Sequence, residues 1–245
     1  MSKSIIVPVH NEEGNIGELI DKISLHINKD DEIIIVNDGS TDNTESEIKT
    51  RNCILISLQK NMGKGFAMRS GIQKAKGDFI IFMGGDGQDD PKEINTLLDE
   101  IKKGYDYVIG SRFLNVASGL SFGKTYETNN RFSTKAVLPV NEFGNKSITL
   151  IINVFFGKNI TDSQSEFKCF ISKKLKELKL ESDRFEIETE LLIKSFRRKF
   201  KIKEVPVHRY ERKHGISKLF NVPFGRFLFG LKVLKTIFKG YLFWR

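Results

Sequence analysis

Between residues 4 and 113, short β-branched runs alternate with amphipathic stretches, and this alternation limits the chain to few folds. Ser4 to Val9, Glu32 to Asn37, Cys53 to Ser57, Phe79 to Met83 and Tyr107 to Ser111 are dominated by apolar and β-branched residues, which predicts strands. Between them, Ile16 to Ile27, Thr44 to Lys49, Phe66 to Lys74 and Ile94 to Lys103 place apolar residues at helical spacing. Strand and helix in turn predict an α/β fold with a doubly wound, mostly parallel sheet. In such sheets ligands lie beyond the carboxyl ends of the strands, so the loops that follow the strands are the ones to read for chemistry.

After Phe113 the periodicity fails. Leu114 to Asn130 is rich in Gly, Ser, Thr and Asn, which predicts a long, mobile, functional loop. Helical spacing returns over Arg131 to Phe156, with Pro139 as a break, and over Lys173 to Leu178 and Phe185 to Phe200; a strand is expected at Ile202 to His208. In the last segment, Pro223 to Arg245, Lys232, Lys235 and Lys239 share one narrow helical face and Phe, Leu, Ile, Tyr and Trp cover most of the rest. That pattern suits a helix lying in a membrane interface. It suits equally a helix docked on the core or on a second subunit, the latter giving a homo-oligomer. Ser147 to Gly157 is apolar and uncharged but far shorter than the ~20 residues of a membrane span. The first strand begins too near Met1 to leave room for an export signal, so a cytoplasmic protein is expected.

A chain of 245 residues, 39% of them apolar, can bury a sizeable core. Forty Lys and Arg against 31 Asp and Glu leave a net charge of +9, which favours anionic partners. Nucleic acid fits poorly, because the basic residues lack an interleaved aromatic or groove-reading motif. Cys53 and Cys169 each sit in an apolar run, as reduced core thiols do, rather than as a disulfide or metal pair.

Four loops carry the polar chemistry. The first, Pro8-Val9-His10-Asn11-Glu12-Glu13, serves either as a helix cap or as a ligand loop. The second, Asn37-Asp38-Gly39-Ser40-Thr41-Asp42, ends a strand with a carboxylate placed to accept hydrogen bonds from a base. The third, Asn61-Met62-Gly63-Lys64-Gly65, puts two glycines and a cation at a helix start, where free N–H groups favour phosphate, although the Walker spacing is absent. The fourth, Gly84-Gly85-Asp86-Gly87-Gln88-Asp89-Asp90-Pro91, interleaves glycines with carboxylates, a hard oxygen set suited to Mg²⁺ or Mn²⁺ on a diphosphate. Asp89 and Asp90 fit an acidic helix start as well; Asp86 does not.

Together with Gly77-Asp78 and Gly110-Ser111-Arg112-Phe113, these loops resemble the family 2 inverting glycosyltransferases of GT-A fold, and among them the synthases of dolichyl-phosphate and polyprenyl-phosphate glucose or mannose. The resemblance continues through Asp162 to Lys168, Phe185, Glu188, Glu190, Leu191 and Glu204 to Val207, and ends at Arg212, Gly215, Ser217 and Lys218. It implies a GT-A, Rossmann-like sheet over residues 1–219, with a nucleotide-sugar half at 1–113, an acceptor half at 114–219 and an amphipathic tail at 220–245. It implies that Pro8, His10, Asn11, Glu12, Asp38, Gly63 and Lys64 hold the nucleotide and that Asp86 with Gln88 holds the divalent ion. Asp86, Arg112, Arg131 and Lys218 become the catalytic set, the three cations facing phosphate groups. The chain departs from the family pattern at Gly84, where an acid is usual, at Asn37, where Asp is frequent, and at Glu166, where Gly generally precedes Phe167.

The implied reaction is transfer of a hexose from a nucleotide sugar to a polyprenyl phosphate at the cytoplasmic face of a membrane. Asp162, Gln164, Phe167 and Lys168 are nearer the glucose-type synthases, which favours UDP-glucose. A saccharide hydroxyl acceptor would need a general base, for which Glu188 and Glu190 are candidates. Lys194, four residues after Glu190, fits an exposed acidic helix face instead. A lipid phosphate is already anionic, and Arg209, Arg212, Lys213 and Lys218 form a basic cluster that suits it. Saccharide transfer, or nucleotide-sugar binding without catalysis, remain the alternatives.

Overall fold

A computed structural model describes residues 1–114, 139–215 and 225–244. Its strands are β1 (Lys3–Val9), β2 (Glu32–Asn37), β3 (Ile54–Ser57), β4 (Phe79–Phe82), β5 (Tyr107–Ser111), β6 (Lys168–Ile171) and β7 (Ile202–Pro206). They form one sheet in the order β3-β2-β1-β4-β6-β5-β7. All neighbours run parallel except β6, which is antiparallel to both β4 and β5. The expected parallel strands are therefore present, and an inserted antiparallel strand splits them.

The helices are α1 (Ile16–Ser24), α2 (Thr44–Lys49), α3 (Lys64–Lys74), α4 (Ile94–Lys102), α5 (Pro139–Phe156), α6 (Ser172–Glu177), α7 (Ile187–Arg197) and α8 (Gly225–Leu242). α1 stops three residues short of the expected Ile27, leaving Leu25 exposed. α7 is also shorter than the pattern suggested, and Lys199 just beyond it takes a positive φ of 56°, the left-handed turn that commonly closes a helix. The described part of α5 begins at Pro139, and residues 131–138 lie outside the described residues. The loop expected over 114–130 lies, after Leu114, outside the described residues.

Strand alternation divides the core in two. Ile5, Val7, Ile33 and Ile35 face Ile16, Leu19, Ile20, Ile23, Leu97 and Ile101 on one side of the sheet. Ile6, Ile34 and Val36 face Met68, Ile72, Leu191 and Ile237 on the other. Continuous apolar strands are what burial on both faces demands. Cys169 is buried in β6 and Cys53 half-buried before β3, both as free thiols. β2, β1 and β4 lie between their strands, so at ~4.8 Å per strand the thiols are far beyond bonding reach.

α8 docks one face on the core through Val233, Thr236, Ile237 and Gly240, all buried. Its other face exposes Phe227, Leu231, Phe238 and Leu242. The ring of Phe155 on α5 meets Phe238 and Tyr241 edge-on, joining α8 to α5, which exposes Phe143, Leu150 and Val154. Lys239, exposed like Lys232 and Lys235, pairs with Glu181. Among the described residues no helix is long and apolar enough to cross a membrane.

Candidate active site

The first two loops are sewn to each other. Asn11, with a φ of 52°, donates its backbone N–H to Ser40 Oγ at 2.9 Å and accepts from the Thr41 N–H at 2.7 Å through its side-chain oxygen. Asn tolerates that left-handed conformation better than other non-glycine residues. The Glu12 N–H donates to Thr44 Oγ1 at 2.7 Å, and His10 Nδ1 lies 2.9 Å from the Asp38 carbonyl oxygen. Pro8, at the end of β1, is half-buried. Pro8, His10, Asn11, Glu12 and Asp38 are thus gathered at the carboxyl ends of β1 and β2.

Asp38 and the third loop are tied to each other. Both Asp38 oxygens accept backbone hydrogen bonds from that loop, Oδ1 from Met62 at 2.7 Å and Oδ2 from Gly63 at 2.8 Å. The helix start at Lys64 is not open to a phosphate. Residues 182 and 183 lie across it: the Phe66 N–H donates to the Asp183 carbonyl at 3.0 Å, and a Cβ on Gly63 or Gly65 would strike the carbonyls of Asp183 and Ser182. The two glycines serve this close approach. Lys64 turns inward, 2.8 Å from Glu166 Oε1 and 2.6 Å from Glu188 Oε1. Burial alone would lower the Lys64 ammonium, but the two carboxylates outweigh it and hold it above its usual range.

The fourth loop bears the acids. Asp86 Oδ2 lies 3.1 Å from Arg212 Nη2 and 3.5 Å from Arg209 Nη2, and Arg212 Nη1 reaches Glu12 Oε2 at 3.3 Å. Gln88 is held at both ends of its amide, donating to the Tyr210 carbonyl at 2.8 Å and accepting from Arg209 at 2.9 Å. Asp89, read from the sequence as a helix-start acid, is instead buried, and its Oδ1 lies 3.2 Å from Arg209 Nη1. Burial pushes its carboxyl up to about 6 against the pull of Arg209, with Asp86 adding to the rise. Of the basic cluster expected to suit an acceptor phosphate, Arg209 and Arg212 pair with these acids and Lys213 with Glu18 at 2.7 Å, while Lys218 lies outside the described residues. No local pattern in the sequence signals these pairings, which span more than a hundred residues.

Arg112 sits at the end of β5 in a bidentate pair with Asp162, Nε to Oδ2 at 2.7 Å and Nη2 to Oδ1 at 2.8 Å. Glu188 and Glu190 do not form an exposed acidic face. Both are buried: Glu188 pairs with Lys64 and Lys168, while Glu190 accepts the N–H groups of Glu181 and Ser182 and lies 2.6 Å from Lys194. The i,i+4 pairing with Lys194 is present, but inside the protein. Arg131, Ser217 and Lys218 lie outside the described residues.

Among the described residues, no group of three or more His, Cys, Asp or Glu is assembled to hold a metal ion. A magnesium-like ion does not need such a cage, since it takes one or two carboxylates and completes its shell with water and substrate phosphates. The space above Gly84 meets that requirement, because the nearest atoms to a Cβ built there are oxygens of Glu166, Asp86 and Asp89.

The chain is 31% identical over 255 residues to the UDP-N-acetylglucosamine–dolichyl-phosphate N-acetylglucosaminyltransferase of Methanococcus voltae, covering 94% of this chain and 95% of that one. It is 29% identical over 224 residues to the dolichyl-phosphate beta-glucosyltransferase ALG5D of Trichomonas vaginalis, covering 83% of this chain and 64% of that one. Glucosyl-3-phosphoglycerate synthase from Mycobacterium tuberculosis, solved with Mn²⁺, uridine diphosphate and phosphoglyceric acid, superposes with a TM-score of 0.73 at 19% identity, over 98% of this chain and 78% of that one, and so shares the fold. Residues 4–178 match the model of glycosyl transferase family 2. With the nucleotide-binding type of sheet and its acid-bearing loops in place, the chain belongs to glycosyl transferase family 2 and is a glycosyltransferase of GT-A fold.

Proposed function

We propose that the protein transfers a hexose, with UDP-glucose the favoured donor, to a polyprenyl or dolichyl phosphate with inversion at the anomeric carbon. The observation that carries this reading is the state of the two acids on α7. Glu188 is bound by two lysines and Glu190 by a lysine and two backbone amides, so neither is poised to take a proton from a sugar hydroxyl. A phosphate monoester acceptor, anionic near neutral pH, does not ask that of them. The names of the relatives from Methanococcus voltae and Trichomonas vaginalis support the same acceptor class.

On this reading the first two loops hold the nucleotide through Pro8, His10, Asn11, Glu12 and Asp38, with Gly63 and Lys64 behind them. Asp86, with Gln88 beside it, would hold a Mg²⁺ or Mn²⁺ ion whose charge offsets that developing on the departing diphosphate. The fold neighbour bound to uridine diphosphate and Mn²⁺ supports that assignment. Arg112, Arg131 and Lys218 are assigned to the phosphates. The exposed apolar residues of α8 and α5, with Lys232 and Lys235 beside them, are assigned to the cytoplasmic face of an anionic membrane, where the lipid acceptor resides.

The test is incubation of the purified protein with radiolabelled UDP-glucose, Mg²⁺ and a polyprenyl phosphate. Label in an acid-labile, solvent-extractable lipid is expected. Label appearing only in a saccharide, or donor binding without any transfer, would overturn the reading.

A further inference from the structure

Gly84 lies where carboxylates from two distant segments meet. A Cβ built on it would stand 2.7 Å from Glu166 Oε2, 3.2 Å from Asp86 Oδ1 and 3.5 Å from Asp89 Oδ2. At 2.7 Å a Cβ would push aside the flexible end of Glu166, so a longer side chain at residue 84 and the Glu166 carboxylate compete for one volume. The antiparallel course of β6 brings this about: Phe82 pairs with Lys168, so the residues entering β6 arrive beside those leaving β4.

The oxygens around Gly84 differ from those the surrounding cations hold. The arginines take Asp86 through Oδ2 and Arg209 takes Asp89 through Oδ1, while Lys64 takes Glu166 through Oε1. The opposite oxygens face Gly84. Asp86 Oδ1 there accepts the Gln88 N–H at 3.2 Å, and Asp89 Oδ2 the Gly84 N–H at 3.0 Å. Each acid is thus anchored by a cation on one side and turns its second oxygen toward a common space. Two ionised carboxylates facing each other repel unless a cation lies between them.

We propose that Glu166 and Asp86 are the carboxylate pair that receives the divalent ion, with Gly84 keeping the space between them open. Glu166 thus delivers from the start of β6 the acid that the exit of β4 lacks. The inference rests on the metal-dependent reading of the site, and it assigns Glu166 as a ligand that neither strand pattern nor motif spacing would nominate.

The experiment measures Mn²⁺ binding to the full chain in the presence of UDP, by the loss of the free-ion paramagnetic resonance signal, so it needs no turnover. Glu166→Gln should weaken Mn²⁺ binding about tenfold or more. Gly84→Asp should also weaken it, by crowding Glu166. The double variant Gly84→Asp/Glu166→Gly, which moves the acid from one segment to the other, should return affinity to near that of the unmodified protein. Thermal melting of each variant keeps loss of fold apart from loss of a ligand. Unchanged binding in a folded Glu166→Gln variant would overturn the proposal while leaving the metal reading intact, as would a double variant no better than the weaker single one. If the unmodified protein with UDP binds no Mn²⁺, the metal reading fails and the proposal falls with it.

Discussion

Arg212 holds Asp86 across the mouth of the site, Nη2 to Oδ2 at 3.1 Å, while its other terminal nitrogen lies 3.3 Å from Glu12. One guanidinium thus ties the loop after β1 to the loop after β4. Both acids are buried, so removing the guanidinium takes a charged partner from each, leaving Asp86 to Arg209 and Glu12 to the Asn15 amide. Arg212→Ala should cost about 3 kcal/mol of stability, at the lower end for breaking a buried ion pair. Arg212→Lys should recover only part of it, since an ammonium lacks the fork that reaches both acids. Urea denaturation of the two variants checks this; an unchanged midpoint in Arg212→Ala would contradict the bridge.

Asp86 is the acid on which the metal assignment depends. Asp86→Asn should lower turnover by roughly a hundredfold or more, the scale on which lost charge stabilisation of a leaving group is felt. EDTA should do the same to the unmodified protein, and added Mg²⁺ or Mn²⁺ should restore it. Full activity in excess EDTA would remove the divalent ion from the mechanism.

The acceptor assignment separates two side chains. Arg131→Ala should lower acceptor-dependent turnover by roughly ten- to a hundredfold, from about 1.5–3 kcal/mol for one charge-assisted phosphate contact, with donor binding little changed. Glu188→Gln should act chiefly on stability, because Lys64 and Lys168 lose their shared partner, and the folded fraction should keep its transfer rate. Rate should level off above neutral pH as the acceptor phosphate becomes fully ionised. Loss of transfer in a folded Glu188→Gln protein, with Arg131→Ala active, would favour a hydroxyl acceptor.

The pair formed by Asp162 and Arg112 sets an acid limit on stability. Burial raises the Asp162 carboxyl, but Arg112 and the amides of Arg112 and Gln164 lower it more, leaving it below the usual carboxylate range. A depressed folded pKa means that the unfolded chain takes up the proton first, so this contribution is complete above about pH 4 and is lost as pH falls through the folded value. Asp162→Asn should therefore be clearly less stable than the unmodified protein at pH 7, with the gap narrowing below pH 4. Denaturant midpoints between pH 3 and pH 7 measure it, and a gap independent of pH would refute the assignment.

The proposed membrane contact rests on α8 and α5. Lys232 and Lys235 make no ion pair among the described residues, whereas Lys239 is bound to Glu181. Neutralising Lys232 and Lys235 to Gln should weaken binding to anionic vesicles by about 2 kcal/mol, roughly thirtyfold, at about 1 kcal/mol per basic residue. Lys239→Gln should leave vesicle binding nearly unchanged. Undiminished binding in the double variant would exclude this surface as the electrostatic contact.

The strand and helix order of the first 113 residues was legible in the sequence because it depends on local periodicity: Ile5, Val7, Ile33 and Ile35 had to be strand residues buried against a helix layer. The acid-bearing loop around Asp86 was legible too, since it follows its strand directly. What tertiary structure alone decided is which charges meet. The direction of β6 has no signature in its four residues, yet it brings Glu166 to Gly84 and Asp162 to Arg112. Likewise Arg209 and Arg212 read as a basic run until the chain beyond β7 lies against the loop after β4, where Tyr210 exchanges hydrogen bonds with Gln88. Periodicity records how each segment is buried. Electrostatic pairing between segments depends on where the sheet order sets them down, and a one-dimensional pattern does not carry that distance.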